Sequence, residues 1–315
     1  MKKIISLILA LTVLLSLGAL ADNETLNVAA LNGPTGMGMV KLMSDEEGKD
    51  AYAFTLAGSA DVIVPGFIKG EYDIVCVPAN LASVLYNRTN GGVRVLAINT
   101  LGVLYIVERD DTVHSFADLK GRTIYSAGMG ATPEYALRYL LKQNGLDAEK
   151  DVNIVWQSEH AECLTALIND PKACAMLPQP FVTVAQSKKD DVRIALDLTE
   201  EWNKVTSDSA MLTGVVIARA AFADENPDAV AAFMEAYAAS VQYVNENVEE
   251  AAKLIGGYEI VAEQVAVKAL PYCNIVCIGG EEMKTLLSGY LNVLFEQDAS
   301  SVGGALPNEE FYYIP

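Results

Sequence analysis

Two hydrophobic patterns alternate along most of the chain. Short runs rich in valine, isoleucine and alanine end at glycine, proline or polar residues, which is typical of buried strands. Between these runs lie longer segments with the apolar spacing of amphipathic helices. This regular alternation predicts an α/β fold in which helices pack on a largely parallel sheet.

The strands are predicted from apolar runs bounded by turn residues. They are Thr25–Leu31, Tyr72–Val77, Val93–Asn99, Tyr105–Arg109, Thr123–Ser126, Asn153–Gln157, Ala173–Leu177, Arg193–Asp197 and Gly214–Ala218. The clearest predicted helices are Thr132–Asn144, Ala161–Asn169, Pro227–Asn245, Val248–Ile255 and Glu281–Glu296. His114 directly precedes a further helix start, Ser115–Asp118, which resembles a capping box with Asp in the usual place of Glu.

The order of elements repeats once within the chain. Lys69–Val84 and Asn169–Val184 each contain a strand, a turn and a helix, with Pro78 opposite Pro178. Glycine-rich turns at 33–38 and 127–132 also follow strands and open helices. Such self-similarity predicts two related lobes, although chance similarity between α/β segments is an alternative.

The repeat leads to a prediction of domain organisation. The chain after Thr213 contains one strand and then long helices, so we expect it to return to the first lobe. The chain would then cross between lobes near Leu101–Val107 and near Met211–Val216, which creates a hinge and a cleft. The predicted parts are a signal peptide in 1–21, lobe 1 in 22–104 and 213–315, and lobe 2 in 105–212.

The N-terminus has the three-part layout of a secretory signal. Lys2 and Lys3 precede an apolar run, Ile4–Leu17, and Ala19-Leu20-Ala21 offers a cleavage site. The run is shorter than the roughly 20 residues that a transmembrane helix needs. We therefore expect an exported protein, periplasmic or at the extracellular face of the cytoplasmic membrane, with an uncleaved anchor as the alternative.

Charge and cysteine content exclude several classes of function. A formal net charge of −19 argues against nucleic acid and anionic membranes as partners, because both attract clustered positive charge. The five cysteines are few, scattered and odd in number, which favours buried core thiols over a disulfide scaffold. Cys273 and Cys277 are close enough in sequence to leave a metal or disulfide role open.

No catalytic motif is visible in the sequence. It contains no Gly-x-Ser-x-Gly elbow, no Walker-type Gly-Lys-Ser/Thr and no His-Glu-x-x-His pair. Neither His114 nor His160 has an evident catalytic neighbour. We therefore expect no catalytic residues, no metal site and no cofactor.

The candidate binding site lies where strands end and helices begin. Open α/β sheets bind ligands beyond the carboxyl ends of their strands, and glycine turns let backbone N–H groups face the ligand. Thr132 is predicted as a helix N-cap and Pro133 as the first helical residue. Asn80 and Gln179 offer amide groups; a simple helix cap is the alternative for Asn80, and a surface position for His160. The candidate residues are Asn32, Gly33, Pro34, Thr35, Gly36, Ser59, Pro78, Ala79, Asn80, Ser126, Gly128, Met129, Gly130, Ala131, Thr132, Ser158, His160 and Gln179.

Five segments carry a family resemblance across nearly the whole chain. They are LNGPTGMG at 31–38, DVIVPGFIKGEYDIVCVPANLASVLYN at 61–87, DLKGRTIYSAGMGATPEYALRYLL at 118–141, LPQP at 177–180 and ARAAFADENPDAVAAFMEAY at 218–237. In this order they resemble ABC-transporter substrate-binding proteins of the nitrate, sulfonate and taurine type, a group that includes receptors for thiamine-pyrimidine precursors. The resemblance implies the type II periplasmic-binding fold, with two α/β lobes of mixed sheets joined by a double-crossing hinge.

The resemblance also implies a function. A small anionic or heteroaromatic solute, such as a sulfonate, nitrate or pyrimidine-like compound, would be captured by lobe closure and delivered by a monomer to permease subunits of an ABC importer. The implied pocket loops are Gly33–Gly38, Gly58–Ala60, Pro78–Asn80, Ser126–Thr132 and Pro178–Pro180. Because they contain no Arg or Lys, a neutral or singly charged solute is favoured.

Two departures and two alternatives qualify this expectation. Gln179 stands where many relatives carry an acidic residue, and Leu20 stands where a lipoprotein would carry cysteine. One alternative is an enzyme on the same fold that acts on a pyrimidine or related precursor. Such an enzyme would resemble the pyrimidine synthases, whose cysteine-rich motif is absent here. The other alternative is a sensory receptor subunit.

Overall fold

The computed structural model describes residues 25–206 and 209–315. The predicted signal peptide, residues 1–21, lies outside the described residues. The strands, in chain order, are β1 (Leu26–Leu31), β2 (Tyr52–Ala57), β3 (Ile74–Pro78), β4 (Val93–Leu101), β5 (Leu104–Glu108), β6 (Thr123–Ala127), β7 (Asn153–Gln157), β8 (Cys174–Pro178), β9 (Arg193–Asp197), β10 (Leu212–Arg219) and β11 (Ile275–Ile278).

Helices connect these strands. They are α1 (Pro34–Met37), α2 (Val40–Asp45), α3 (Ala60–Lys69), α4 (Ala79–Arg88), α5 (Thr132–Gln143), α6 (His160–Asn169), α7 (Phe181–Lys188), α8 (Leu198–Val205), α9 (Ala220–Glu225), α10 (Pro227–Glu246), α11 (Val248–Gly257), α12 (Glu263–Ala269) and α13 (Gly280–Gln297). Short 3-10 helices cover Phe116–Leu119, Leu270–Tyr272, Ala299–Val302 and Glu309–Phe311. Within the described ranges, no helix combines the length and the apolar character needed to cross a membrane.

The strands form two mixed sheets, as the predicted fold class requires. The first sheet has the order β11-β4-β10-β3-β1-β2, and the second has the order β7-β6-β8-β5-β9. In the first, β1 is parallel to β2 and β3, whereas β10 runs antiparallel to β3 and β4. In the second, β6 is parallel to β7 and β8, whereas β5 runs antiparallel to β8 and β9. Each sheet therefore has one antiparallel strand in its interior, β10 in the first and β5 in the second, and the edge strand β11 of the first sheet also runs antiparallel to β4.

The internal repeat is visible in the elements themselves. Each half of the repeat has a helix, a strand and a second helix in the same order. These elements are α3, β3 and α4 in the first half and α6, β8 and α7 in the second. We use lobe 1 for the parts of the chain that carry the first sheet and lobe 2 for the part that carries the second. The lobe boundaries given by the sequence stay a prediction.

All nine predicted strands and all five predicted helices are present, with ends within two residues of those expected. The capping box is confirmed: Ser115 and Asp118 cap each other's backbone at the start of a 3-10 helix. Two strands are missing from the prediction, β2 and β11. Both lie at the edges of the first sheet and are largely half-buried. Strand β11 (IVCI) has only four residues, too few for its apolar run to indicate a strand, and the apolar run of β2 (YAFTLA) is interrupted by a threonine.

The core is continuous between the two lobes. One cluster of buried side chains joins Val75 of the first sheet to Ile106 of the second and to Trp202 and Tyr290. The ring centroids of Trp202 and Tyr290 lie 5.8 Å apart. Burial of this apolar surface stabilises the packing of the two lobes against each other at the hinge.

The C-terminal segment packs on α4 and on the edge of β4. Ser83 Oγ and Asn87 Nδ2 each donate a hydrogen bond to the Val302 carbonyl oxygen at 2.8 Å. Further on, the Tyr313 backbone N–H donates to the Val95 carbonyl at 2.9 Å. These contacts attach the end of the chain to lobe 1.

A buried carboxylate organises the loop after β5. Glu108 is fully buried and accepts hydrogen bonds from the backbone N–H groups of Thr112 at 3.0 Å and Val113 at 2.9 Å. It also forms ion pairs with Arg122, at 3.4 Å, and with Arg193. A buried charge is tolerated only when such partners compensate for its lost hydration.

We predict that Glu108→Gln lowers the free energy of unfolding by about 3 kcal/mol, because two arginines then share a site without the buried negative charge. Urea denaturation measures this change. Glu235→Gln, at an exposed position of α10, is the matched control and should change stability little. Equal stability of the two variants would contradict the assigned role of Glu108.

Candidate functional site

The carboxyl edges of the two sheets face each other because the chain crosses directly between them. Strand β4 ends at Leu101, and β5 begins at Leu104, opposite Pro178 at the end of β8. On the return crossing, Gly214 of β10 pairs with both Pro78 and Thr100. The ends of β3, β4 and β8 therefore converge at one place, which is the position expected for a ligand site.

We call the space between these edges the interlobe cleft. It is defined by the loops that follow the parallel strands: 32–38, 58–60 and 78–80 of lobe 1, and 128–132, 158–160 and 178–180 of lobe 2. These loops consist mainly of polar groups and of the backbone groups at the starts of helices. Such a setting suits the binding of a small polar molecule.

The structure places the candidate residues in or beside these loops, at different depths. Exposed residues are Asn32, Ser59, Met129, Gly130 and Ser158. Half-buried residues are Gly33, Pro34, Pro78, Gly128, Ala131 and His160. Buried residues are Thr35, Gly36, Ala79, Asn80, Ser126, Thr132 and Gln179, with Ser126 inside β6. Their contact with a solute stays a prediction.

The glycines of the first loop have different reasons for being glycine. A Cβ on Gly36 would lie 2.6 Å from the Leu31 carbonyl oxygen, and one on Gly38 would lie 2.9 Å from Ile275 Cγ2. Packing alone explains these two. Gly33, with φ of 116° and open space beside it, has a backbone conformation that other residues rarely adopt. Gly33 is therefore the better candidate for close approach of a solute.

Carboxylates cap two of the three loops in lobe 2. The Gly130 N–H donates to Glu134 Oε2 at 2.7 Å, and the Ser158 N–H donates to Glu162 Oε2 at 2.9 Å. Each carboxylate occupies a backbone donor that an anionic solute could otherwise use. Arg138 offsets the charge of Glu134 at 2.8 Å, whereas Glu162 has no ion pair within the described residues. The lobe 2 wall is therefore less suited to an anion than its helix N-termini suggest.

The two candidate amide side chains have intramolecular partners. Gln179 Oε1 accepts hydrogen bonds from the Thr183 N–H at 3.3 Å and from Thr183 Oγ1 at 2.9 Å, so it caps the start of α7. Asn80 Nδ2 donates to the Ser301 carbonyl at 3.1 Å. Asn80 Oδ1 is buried and has no partner in the part of the chain that the structure describes. The alternative of Asn80 as a helix cap is wrong, because its side chain reaches the C-terminal segment.

The prediction that Thr132 is the N-cap of α5 is wrong. Ala131, with extended backbone, takes that position, and Thr132 and Pro133 are the first two helical residues. Thr132 is buried, and its Oγ1 accepts a hydrogen bond from the Tyr290 hydroxyl at 2.9 Å. Its side chain therefore serves a contact with α13 and not the helix end.

His160 is the basic side chain of the cleft loops. It lies half-buried at the first position of α6, with its ring centroid 5.4 Å from that of Phe181. Burial lowers the pKa of His160 to about 4, so the ring is neutral near pH 7. Its Nδ1 has no hydrogen-bond partner among the residues described. A neutral imidazole here can pair with a polar group of a solute without attracting an anion.

Several polar residues at the hinge were not predicted from the sequence. Asn99 and Thr100, at the end of β4, are fully buried, and Thr100 Oγ1 donates to Asn99 Oδ1 at 3.1 Å. A Cβ on Gly214 would lie 2.5 Å from Asn99 Oδ1 and 2.6 Å from Thr35 Cγ2. The sequence feature that could have identified them is a pair of polar residues at the end of an otherwise apolar strand. They lie beside Gly214 and Thr35, at the end of β4 that reaches the cleft.

None of the cysteines forms a disulfide, and all but the half-buried Cys277 are buried. Burial raises the pKa of Cys76 and Cys273 to about 12 and that of Cys277 to about 11. Such thiols carry little thiolate at neutral pH and react slowly. In the described residues, no cluster of three or more His, Cys, Asp or Glu side chains could hold a metal ion.

A pocket of about 770 Å³ lies outside the cleft, between α5 and the end of α13. Ion pairs satisfy much of its charged lining: Arg138 pairs with Glu134 and Glu149, and Lys150 pairs with Asp147. Charges already paired within the chain give little specific attraction to a ligand. The interlobe cleft is therefore the better candidate site.

Comparison with known proteins supports this fold. The sequence profile of the family described as NMT1/THI5 like matches residues 92–251, about half of the chain. A protein from Parabacteroides distasonis, described as an ABC transporter, is 24% identical, with a TM-score of 0.78 over 93% of this chain and 99% of the other. No curated protein matches the chain.

Two further solved structures name the fold. The periplasmic aliphatic sulphonate binding protein SsuA from Escherichia coli is 14% identical, with a TM-score of 0.75 over 93% of this chain and 92% of the other. The CA3427 gene product of Candida albicans, described as having the generic periplasmic binding protein fold, is 13% identical, with a TM-score of 0.60 over 91% and 92%. The two lobes thus have the periplasmic binding protein fold.

We predict that His160 makes the free energy of unfolding decrease as the pH falls. The pKa of His160 in the folded chain, about 4, lies below the ordinary histidine value of 6.5, so the unfolded state takes up a proton first as pH falls from 6.5 toward 4. When the pH is lowered from 7 to 4.5, the free energy of unfolding should therefore fall by about 2 kcal/mol less for His160→Gln than for the unmodified chain. Urea denaturation at both values tests this, with the exposed His114→Gln as control. Parallel losses in all three proteins would contradict the buried state of His160.

Proposed function

The chain belongs to the NMT1/THI5-like family, and on this premise we propose that it is an exported solute-binding protein of an ABC importer. It captures a small molecule in the interlobe cleft and delivers it to the permease subunits. The observation that carries this proposal is the convergence of Pro78, Thr100 and Pro178 at facing sheet edges. That arrangement gives one solute access to groups of both lobes.

The proposed mechanism is closure of the lobes around the solute. Groups from the lobe 1 loops and from the lobe 2 loops contact the same molecule only when the cleft is closed. A solute with these contacts stabilises the closed state in proportion to its preference for that state. The short crossing from Leu101 to Leu104 supplies the hinge.

The solute class is a small anionic or heteroaromatic compound: a sulfonate, nitrate or pyrimidine-like molecule. The E. coli neighbour, which is described as binding an aliphatic sulphonate, supports a sulfonate. The cleft chemistry favours the neutral heteroaromatic end of this range. Its loops contain no Arg or Lys, Glu134 and Glu162 occupy backbone donors, and His160 is neutral near pH 7.

The location and partners follow from the same proposal. The predicted N-terminal signal supports export to the periplasm or to the extracellular face of the cytoplasmic membrane. The protein acts as a monomer with a small solute and membrane permeases, and not on nucleic acid. The enzyme and sensory alternatives have no specific contact or cluster in their favour within the described residues.

We predict that a solute of the proposed class raises the melting temperature. A compound present at 100 times its dissociation constant should add about 2.7 kcal/mol to stability. A thermal-shift screen with nitrate, ethanesulfonate, taurine, uracil and cytosine covers the class, and the two pyrimidines should give the larger shifts. Glu162→Gln should strengthen binding of ethanesulfonate by removing a negative charge from the lobe 2 wall.

Controls separate the function from the solute class. Glu235→Gln, at an exposed position of α10 outside the cleft loops, should leave every shift unchanged. A sulfonate that binds more tightly than both pyrimidines would contradict the preference for a neutral ring. The screen is then extended to flavins and small carboxylates, and no shift with any sulfonate, oxyanion, pyrimidine, flavin or small carboxylate would contradict the solute-binding function itself.

A further inference from the structure

Helix α13 belongs to lobe 1 by its position after β11, yet one of its side chains reaches a solute loop of lobe 2. Tyr290 is fully buried, and its hydroxyl donates a hydrogen bond of 2.9 Å to Thr132 Oγ1. Thr132 is only 2% exposed. The bond therefore joins two lobes in a setting without competing water.

Aromatic packing fixes the position of this hydroxyl. The Tyr290 ring centroid lies 5.8 Å from that of Trp202 on α8, and Trp202 lies 4.7 Å from Tyr139 on α5. Trp202 is itself fully buried. Rings in such tilted contacts restrict one another, so Tyr290 presents its hydroxyl to Thr132 from a fixed position.

The loop that ends at Thr132 contains two glycines in left-handed backbone conformations. Gly128 and Gly130 both have positive φ, 86° and 76°, and Met129 between them is 66% exposed. One backbone hydrogen bond closes the loop, from the Ala131 N–H to the Gly128 carbonyl at 3.1 Å. Because glycine backbones are flexible, further contacts help to select the shape of this loop, and two are present: Glu134 on the Gly130 N–H and Tyr290 on Thr132.

We infer that Tyr290 is a positioning residue for the lobe 2 solute loop, Gly128–Thr132. Its hydrogen bond to Thr132 holds the loop in the shape that the solute meets, an inference that rests on the proposed binding function. Loss of the tyrosine hydroxyl leaves Thr132 Oγ1 buried without its donor. An unsatisfied buried group is costly, so the end of the loop shifts to find another partner.

Hydrogen–deuterium exchange without solute tests this inference directly. Tyr290→Phe keeps the ring and removes only the hydroxyl. We expect the amides of Gly130 and Ala131 to exchange about five-fold faster, the change that corresponds to one net hydrogen bond. Tyr237→Phe is the matched control, because Tyr237 is also fully buried but lies on α10 with its ring stacked on that of Phe233, away from Thr132. That control should leave these amides unchanged.

A double-variant cycle separates positioning from general loss of stability. Thr132→Val should reproduce the effect of Tyr290→Phe, the two together should add little, and Thr132→Ser should restore normal exchange. Any compound that binds the unmodified chain in the thermal-shift screen should bind Tyr290→Phe about five-fold more weakly and Thr132→Ser normally. Unchanged loop exchange in Tyr290→Phe, or additive effects in the double variant, would overturn the inference. Failure of every compound to bind, with this exchange pattern intact, would contradict the proposed function and leave the coupling standing.

Discussion

One antiparallel strand inserted into each parallel sheet is the constraint on which this structure depends. Strand β10 lies between β3 and β4, and β5 lies between β8 and β9. Each inserted strand begins next to the crossing from the other lobe, so its first residues meet the carboxyl ends of its neighbours. The two carboxyl edges must then face each other. The cleft, the hinge and the convergence of the helix N-termini all follow from this pairing.

The chemistry of the cleft is set by what those helix N-termini already bind. A helix start with free N–H groups attracts anions. In lobe 2, however, two carboxylates of the chain accept from N–H groups just before α5 and α6, and the Gln179 amide accepts from an N–H in the first turn of α7. Together with a neutral His160, this lowers the attraction for a strong anion. A fold shared with sulfonate-binding proteins therefore does not require a sulfonate here.

The fold was largely predictable because interior strands have a strong sequence signal. Strands β3 (IVCVP) and β8 (CAMLP) are buried on both faces, so they are nearly continuous apolar runs. Strand β11 (IVCI) is too short for this signal to be distinctive, and β2 (YAFTLA) is only partly buried. Most loop positions in the site could also be placed, because they follow predicted strands; the loop at 58–60 follows β2, which was not predicted.

The partners within the site could not be predicted from the sequence. Asn80 bonds to Ser301, which is 221 positions away, and Thr132 bonds to Tyr290, which is 158 positions away. No local pattern encodes contacts of this range, because they arise only when α13 and the C-terminal segment pack on the lobes. Short-range caps such as Ser115–Asp118 are encoded locally and were predicted.

Lobe closure on a solute is the central claim, and a distance between the lobes tests it most directly. Asp61 on α3 and Ala161 on α6 are exposed and occupy matching places in the two lobes, and the native thiols are buried or half-buried. Spin labels on cysteines introduced there report the distance across the cleft by double electron–electron resonance. We predict a shorter and narrower distance distribution with a saturating solute. An unchanged distribution, with a solute that demonstrably raises the melting temperature, would contradict the account.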